Sequence, residues 1–179
     1  MCTSLTLTAA DHTTILARTM DFPNVDPWSP TKLPAGTPWQ PILGDSQTTQ
    51  FNIVGASRHL DGHYLFGDGI NAAGLSCAEL YLPGRVQYYD DPQAAKTNLT
   101  PQDIILWMLR GHTTVAEVPA DLPRVAHIAH VRNVEHKSYP FHWVLADTTG
   151  ATAYIDLTTR ALTATANPIQ LMPTMPQLS

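Results

Sequence analysis

Short runs of β-branched and apolar residues, each ended by a turn sequence, recur at both ends of the chain. The first run, Cys2–Thr8, is followed by turn residues at positions 9–12 and by a second run, Thr13–Met20. Similar runs lie between residues 51 and 82 and between residues 142 and 166. Alternation of strand-forming residues with tight turns is typical of antiparallel hairpins. Most of the chain is therefore expected to form sheets.

One segment near the middle has the pattern of a helix instead. Thr100 supplies an N-cap hydroxyl, Pro101 occupies the first helical position, and the apolar run 104–109 ends close to a glycine. A weaker helix is expected over residues 114–119. This order of sheet, helix and sheet predicts an α+β fold in a single domain over residues 1–179.

Fifteen prolines are an excess for 179 residues, and six of them lie between Phe22 and Pro41. Because proline has no N–H to donate, this segment can form neither a long helix nor a central strand. It is predicted to be an ordered, extended loop. Residues 168–179 show no periodicity and predict no regular element.

The charge balance excludes several classes of function. The formal net charge is −5, from ten Lys and Arg against fifteen Asp and Glu, and the sequence has no basic run. We therefore expect no nucleic-acid partner and no membrane partner. No apolar run approaches the ~18 residues of a membrane span, and the first residues lack the pattern of a signal peptide. The expected location is the cytoplasm.

Cys2 is the residue with the clearest chemical implication. A side chain as small as cysteine allows the initiator Met1 to be removed, which would leave Cys2 with both its thiol and the α-amino group of the chain. An α-amino group titrates near ~8 and a thiol near ~8.5, so one residue would hold both a base and a nucleophile. Taken alone, a cysteine at this position favours the interpretation that it has no catalytic role.

The predicted hairpin brings further chemistry to Cys2. If the turn lies near Asp11, the returning strand places Arg18 roughly opposite the N-terminus, where its permanent charge would stabilise a thiolate. Asp21 lies just beyond and is placed to orient the α-amino group by a hydrogen bond. The alternative is a surface arginine and a turn aspartate. The combination of Cys2, Arg18 and Asp21 favours the catalytic interpretation.

The opening of the chain, Met1–Thr3 with Leu16–Phe22, resembles that of the choloylglycine hydrolases. These N-terminal nucleophile hydrolases include bile salt hydrolases and penicillin V acylases. Further segments resemble the family in the same order along the chain, namely Gly69–Leu75 (a Gly-x-Asn-x-x-Gly-Leu hairpin), Ala78–Gly84 (the segment with an oxyanion-hole side chain), Phe141–Asp147, and Asn167 with Pro168. The resemblance extends to Met172 and implies antiparallel sheets within a four-layer αββα sandwich.

The resemblance also implies an activity. Linear amide C–N bonds would be hydrolysed through a thioester on Cys2, without a metal or an organic cofactor. Arg18 and Asp21 would contact the nucleophile, and Tyr81 would lie at an oxyanion or substrate position. Tyr81 stands where penicillin-preferring relatives often have Tyr and bile-salt-preferring relatives Asn. Conjugated bile salts and penicillin V-like acyl amides are both candidate substrates.

Two departures from the family pattern affect this expectation. The family continues after Met172 with Thr-Asn-x-Pro, whose Asn side chain donates to the oxyanion, whereas Thr174 stands at about that position and has no amide N–H. Loss of one such donor typically lowers turnover about 10²–10³-fold. The chain also ends at Ser179, about where the first half of a family member ends, so we expect a truncated, incomplete domain. A single-base frameshift after Met172 would explain both departures.

The alternative function is that of a catalytically silent remnant which binds acyl compounds or a partner subunit. Exposed faces and edges of an incomplete sandwich would favour association of copies, so a homo-oligomer is also expected. Cys77 alternates with Leu75 and is expected in the core. A redox pair of Cys2 and Cys77 lacks a Cys-x-x-Cys setting. The scattered histidines predict no metal site.

Overall fold

The computed structural model describes residues 2–20, 28–60, 62–129 and 138–167 with their side chains, and residues 171–173 by their backbone alone. Its helices are Ile104–Gly111 (α1) and Glu117–Asp121 (α2), and short 3₁₀ helices span Pro101–Asp103 and Leu122–Arg124. None of the helices in these ranges has the length and apolar composition needed to cross a membrane. The strands are Thr3–Thr8 (β1), Thr14–Arg18 (β2), Ser29–Leu33 (β3), Pro38–Trp39 (β4), Gln47–Thr48 (β5), Ile53–Leu60 (β6), His63–Phe66 (β7), Asp68–Asn71 (β8), Ser76–Tyr81 (β9), Thr97–Leu99 (β10), Val125–His127 (β11), Phe141–Ala146 (β12), Thr152–Asp156 (β13), Thr163–Ala166 (β14) and Leu171–Pro173 (β15).

The predicted N-terminal hairpin is confirmed and forms part of a small sheet. Its strands β1 and β2 are one or two residues shorter at their ends than predicted, and the sheet order is β15-β1-β2. The sequence does not predict β15, yet Leu171–Pro173 pairs with Thr3–Leu5. So short a strand needs no side-chain pattern, because the open backbone edge of β1 supplies its hydrogen-bond partners.

The second sheet is antiparallel and has eight strands, in the order β14-β13-β12-β9-β8-β6-β3 with β7 paired to β6. The hairpins predicted between residues 142 and 166 are confirmed with small shifts of their ends. The first run expected from residue 51 starts as a strand at Ile53 and continues to Leu60. Gly55 allows β6 and β8 to lie close together, since a Cβ there would be 2.1 Å from the carbonyl oxygen of Asp68.

The proline-rich segment contains a strand, so the prediction of a loop throughout is wrong. Ser29–Leu33 pairs with β6 and ends the strand order of the large sheet within the described residues. Pro30 fits this position because an edge strand has alternate N–H groups that make no ladder hydrogen bond. The prediction that this segment forms no central strand is confirmed, because β3 lies at the end of the strand order and a proline in a central strand would remove a ladder hydrogen bond.

The first helix begins as the sequence predicts. Thr100 donates to Asp103 Oδ2 twice, from its backbone N–H at 3.1 Å and from its hydroxyl at 2.7 Å. Pro101 occupies the turn that follows. Residues 104–109 are all buried, and α1 contacts β8 and β9 of the large sheet.

The second helix is displaced from its predicted position. It spans Glu117–Asp121 rather than residues 114–119. Pro119 does not end it, because the residue lies in the first turn, where an N–H would have no intrahelical acceptor.

Two apolar clusters define the layers of the fold. The larger cluster fills the space between α1 and one face of the large sheet. The smaller cluster lies between the two sheets and consists of Cys2, Ala78, Leu80 and Val144. The described residues thus form helix, sheet and sheet layers, which agrees with the predicted α+β class and with three layers of the expected αββα sandwich.

Asn71 joins the large sheet to α1. Its side-chain amide donates to the carbonyl oxygens of Leu109 at 2.9 Å and His112 at 2.7 Å. Its Oδ1 accepts from the N–H groups of Ala73 and Leu75, both at 3.1 Å. Asn71 is buried, so its side chain supplies hydrogen-bond partners to backbone groups that water does not readily reach.

Glu79 is a buried acid on β9, only 4% exposed. Burial raises the pKa of its carboxyl to about 8, although the positive charges of Arg18 and Arg58 oppose the increase. The folded protein therefore holds this proton at pH values where the unfolded chain, with an ordinary glutamate pKa, has released it.

Replacing Asn71 with Ala should lower the free energy of unfolding by about 3–4 kcal/mol, because several buried backbone groups lose their hydrogen-bond partner. Denaturant unfolding of the wild type and the variant measures the difference. Asn52→Ala is the matched control, since Asn52 is exposed and accepts a single hydrogen bond from Ala35; it should cost less than about 1 kcal/mol. Equal losses in the two variants would contradict this role of Asn71.

Glu79→Gln should remove a pH dependence of stability. A raised folded pKa contributes stability that is complete below the unfolded value and is lost as pH rises through about 8. Relative to Glu79→Gln, the wild type should lose about 1 kcal/mol between pH 7 and pH 9. Glu117→Gln, at an exposed site, should show no such difference. A constant gap between wild type and Glu79→Gln across this range would refute the raised pKa.

Candidate active site

Cys2 lies immediately before β1, where two hydrogen bonds join the ends of the two hairpin strands. The Thr3 N–H donates to Thr19 Oγ1 at 3.0 Å, and the Thr19 N–H donates to the Thr3 carbonyl oxygen at 2.9 Å. The Cys2 side chain is 1% exposed and packs in the cluster that contains Ala78 and Leu80. Backbone pairing and packing together fix its position.

Arg18 extends from the same face of the hairpin as Cys2. Ser4 and Arg18 are directly opposite one another, and directly opposed residues share a face. Cys2 is two residues from Ser4, so its side chain points the same way. The structure therefore places both side chains on the face that looks toward the large sheet.

An ion pair with Asp68 holds the Arg18 guanidinium. Nη2 lies 3.0 Å from Asp68 Oδ2, and Nε donates to the same oxygen at 3.1 Å. Nη1 donates to the carbonyl oxygen of Glu79 at 3.3 Å. The Arg18 side chain is only 5% exposed, and a charge so buried requires such partners.

Asp68 is itself fixed by the large sheet. Its Oδ1 accepts the N–H of Ala56 at 3.0 Å, which leaves Oδ2 for Arg18. Sequence analysis did not identify Asp68. The local sequence carries no sign of this role, because an aspartate between Gly67 and Gly69 is typical of a turn.

Gly67 allows Arg18 to approach the large sheet. A Cβ at this position would lie 2.8 Å from Arg18 Nη2 and 2.8 Å from Cη2 of Trp28. The Trp28 ring is in turn covered by Arg58, whose guanidinium carbon is 5.0 Å from the ring centroid. Any side chain at residue 67 would displace the guanidinium or the indole.

Tyr81, another predicted site residue, is not brought to this face. Tyr81 makes an edge contact with Phe141, with ring centroids 6.4 Å apart. Strand alternation puts its side chain on the opposite face of β9 from Leu80, which packs near Cys2. Asp21 and Thr174 lie outside the described residues.

Cys77 is a core residue, as the sequence predicts. Burial raises the pKa of its thiol well above the ordinary value, with smaller contributions from the charges of Glu79 and Asp68. Neither Cys77 nor Cys2 takes part in a disulfide. Within the described ranges, no three His, Cys, Asp or Glu side chains are close enough together to hold a metal ion.

Comparison with known proteins gives consistent results. The family model for linear amide C–N hydrolases of the choloylglycine hydrolase family matches residues 2–178. A bile salt hydrolase/transferase from Clostridium perfringens is 27% identical over 179 residues, covering 98% of this chain and 54% of its own length. The chain thus spans about half the length of that relative.

Solved structures show the same relationship. The crystal structure of a variant of conjugated bile acid hydrolase from Clostridium perfringens superposes with a TM-score of 0.90 at 25% identity, covering 98% of this chain and 54% of that one. Penicillin V acylase from Agrobacterium tumefaciens shares the fold, with a TM-score of 0.79 at 21% identity over 98% of this chain and 53% of its own. The family match and the fold together lead to one conclusion: the chain belongs to the choloylglycine hydrolase family of linear amide C–N hydrolases.

Proposed function

We propose that this chain carries the nucleophile of a linear amide hydrolase and that Cys2, freed of Met1, is that nucleophile. The observation that carries the proposal is the strand pairing that puts Cys2 and Arg18 on one buried face. Packing against Ala78 and Leu80 holds the thiol, and Asp68 holds the guanidinium.

Arg18 would act as a fixed positive charge beside the reacting sulfur. A fixed cation stabilises the negative charge on the sulfur as it attacks the carbonyl carbon. Because Asp68 and the Glu79 carbonyl occupy the Arg18 donors on one side, the guanidinium cannot turn away from the sheet. Asp21 is proposed to orient the α-amino group, as its position just after the hairpin suggests.

The proposed reaction has two steps, acylation of Cys2 and hydrolysis of the resulting thioester. In the first, the α-amine of Cys2 takes the thiol proton, the sulfur attacks the amide carbonyl carbon, and the C–N bond breaks as the leaving amine takes that proton. This leaves the acyl group on Cys2 as a thioester. In the second, the α-amine accepts a proton from water, the hydroxide displaces the sulfur, and the proton returns to Cys2 as the acid leaves.

Oxyanion binding is the least complete part of the proposed site. Since the Tyr81 side chain lies on the other face of β9, any contribution of Tyr81 would come from its backbone N–H. Thr174 stands where relatives are expected to have an amide donor. We therefore expect both acylation of Cys2 and hydrolysis of the thioester to be slow in this chain alone.

The proposed substrates are conjugated bile salts or penicillin V-like acyl amides, because relatives of both kinds are similar to this chain. Because the Tyr81 side chain lies on the other face of β9, it does not distinguish between these two substrate types. The acidic charge balance further supports the absence of a nucleic-acid or membrane partner. The alternative, a non-catalytic remnant that binds acyl compounds, predicts an unreactive Cys2.

Cys2 should be the reactive thiol of the purified chain. A small alkylating agent such as iodoacetamide should label Cys2 in molecules that lack Met1, whereas Cys77 should be labelled slowly because its raised pKa keeps it protonated. Peptide mass spectrometry over a time course measures both rates. Cys2→Ala should abolish the fast phase and Cys77→Ala should retain it. Retention of Met1 in the intact mass, or equal rates at the two cysteines, would refute the proposed nucleophile.

Gly67→Ala should slow alkylation of Cys2 about tenfold to a hundredfold at constant pH, because the new methyl group would displace the Arg18 guanidinium. Gly111→Ala is the matched control, since its Cβ would come no closer than 3.7 Å to another group, the Gln50 side chain. Thermal unfolding should show that both variants remain folded. An unchanged Cys2 rate in a folded Gly67→Ala protein would show that Arg18 does not activate the thiol.

A further inference from the structure

Two neighbouring residue pairs of the large sheet lie beneath Cys2, and one of their four members is a histidine. Ala78 pairs with Val144, and Leu80 pairs with His142, across strands β9 and β12. Opposed residues share a face of a sheet, and so do residues two apart on one strand. The three apolar members pack with Cys2 in the cluster between the sheets. The side chain of His142 therefore also points toward the small sheet, beside the residues that hold Cys2.

The imidazole of His142 is buried and has a ring nitrogen without a partner. The residue is 1% exposed, and its Nε2 has no hydrogen-bond partner within the part of the chain that the structure describes. Burial lowers the pKa of the imidazole to about 4, although the negative charge of Asp156 opposes the decrease. The ring is therefore neutral at pH 7 and carries one N–H. Because buried polar atoms rarely go without a partner, Nε2 points to an interaction that the resting fold does not make.

Arg18 and His142 flank the nucleophile from opposite sides. The Arg18 guanidinium is held by Asp68 on β8 and by the carbonyl oxygen of Glu79. In the large sheet β9 lies between β8 and β12, and Cys2 packs on side chains of β9 and β12. The guanidinium thus approaches Cys2 from the β8 side, and the imidazole approaches it from the β12 side. A sulfur that develops negative charge there would have a cation on one side and a neutral donor on the other.

We propose that His142 is a further residue of the active site: with its proton on Nε2, the imidazole donates a hydrogen bond to the Cys2 sulfur as the sulfur attacks the carbonyl carbon. This inference rests on the proposed function, because it requires Cys2 to be the nucleophile. A neutral donor stabilises the developing charge without placing a second cation in a buried layer, where an ion needs its own partners. The proton stays on His142 throughout, so both steps of the proposed reaction remain balanced.

Alkylation of Cys2 by iodoacetamide at pH 7 tests this role, in molecules that lack Met1 and with rates measured by peptide mass spectrometry. His142→Phe keeps a ring of similar size without an N–H, and it should slow the labelling of Cys2 about tenfold, the usual loss for a hydrogen bond to a charged group. His142→Gln has an amide N–H that reaches about as far as Nε2, so it should stay within about twofold of the wild type.

His127→Phe is the matched control. His127 is also buried, its ring nitrogens have no hydrogen-bond partner among the described residues, and burial lowers its pKa to about 3. Its ring contacts Trp143, which belongs to the large cluster on the helix side of the sheet. This variant should leave the Cys2 rate unchanged. Thermal unfolding shows which variants are folded, and His142→Leu replaces His142→Phe if the latter is not.

The outcomes separate this inference from the proposed function. An unchanged Cys2 rate in folded His142→Phe, equal slowing in the Phe and Gln variants of His142, or equal slowing in His127→Phe would overturn the role of His142 and leave Cys2 as the nucleophile. A wild-type Cys2 that is labelled no faster than Cys77 would overturn the proposed function and this inference together.

Discussion

The ion pair between Arg18 and Asp68 connects the two sheets and determines the geometry of the site. The two residues are 50 positions apart in sequence and belong to different sheets. A guanidinium that is 5% exposed is stable only with a carboxylate and a carbonyl oxygen at hydrogen-bond distance. The pair therefore sets how the hairpin lies on the large sheet, and Cys2 at the hairpin's end follows from that placement. Gly67 is required for the same reason, since a side chain at this position would meet the Arg18 guanidinium.

The candidate nucleophile is also a core residue. Cys2 belongs to the small apolar cluster between the sheets, so the forces that pack the sheets also position the sulfur. Side chains in close-packed interiors have few alternative rotamers. A site built in this way is preorganised without a dedicated loop, and any loss of packing between the sheets would reduce both stability and reactivity.

Much of the fold was predictable from local sequence, because its hairpins and its first helix carry local signals. The Cys2–Thr8 and Thr13–Met20 runs predicted the hairpin, and Thr100 with Pro101 predicted the helix start. β15 was not predictable in this way, because its pairing with β1 depends on an edge that is distant in sequence. β3 was missed because prolines predict what a segment cannot form, and Pro30 is tolerated at an edge.

The site was predictable to a similar extent. The hairpin geometry was sufficient to place Cys2 and Arg18 on the same face of the hairpin, because the pairing of two strands determines which residues share a face. Asp68 was not identified because its partner lies on another sheet. Tyr81 was assigned to an oxyanion or substrate position by resemblance. The alternation of side chains along β9 puts the Tyr81 side chain on the face away from Cys2.

The pairing of β15 with β1 has a consequence for the biosynthesis of the protein. Pro173 lies opposite Thr3, so the strand beside the N-terminus comes from the other end of the described chain. A ribosome has to synthesise residues 171–173 before that side of β1 can be covered, and closure of so long a loop is entropically unfavourable. If Met1 is removed, as the proposed function requires, the aminopeptidase would meet an accessible N-terminus on the nascent chain, whereas in the finished fold Cys2 is almost completely buried. Trimming of the N-terminus would precede closure of the sheet around it.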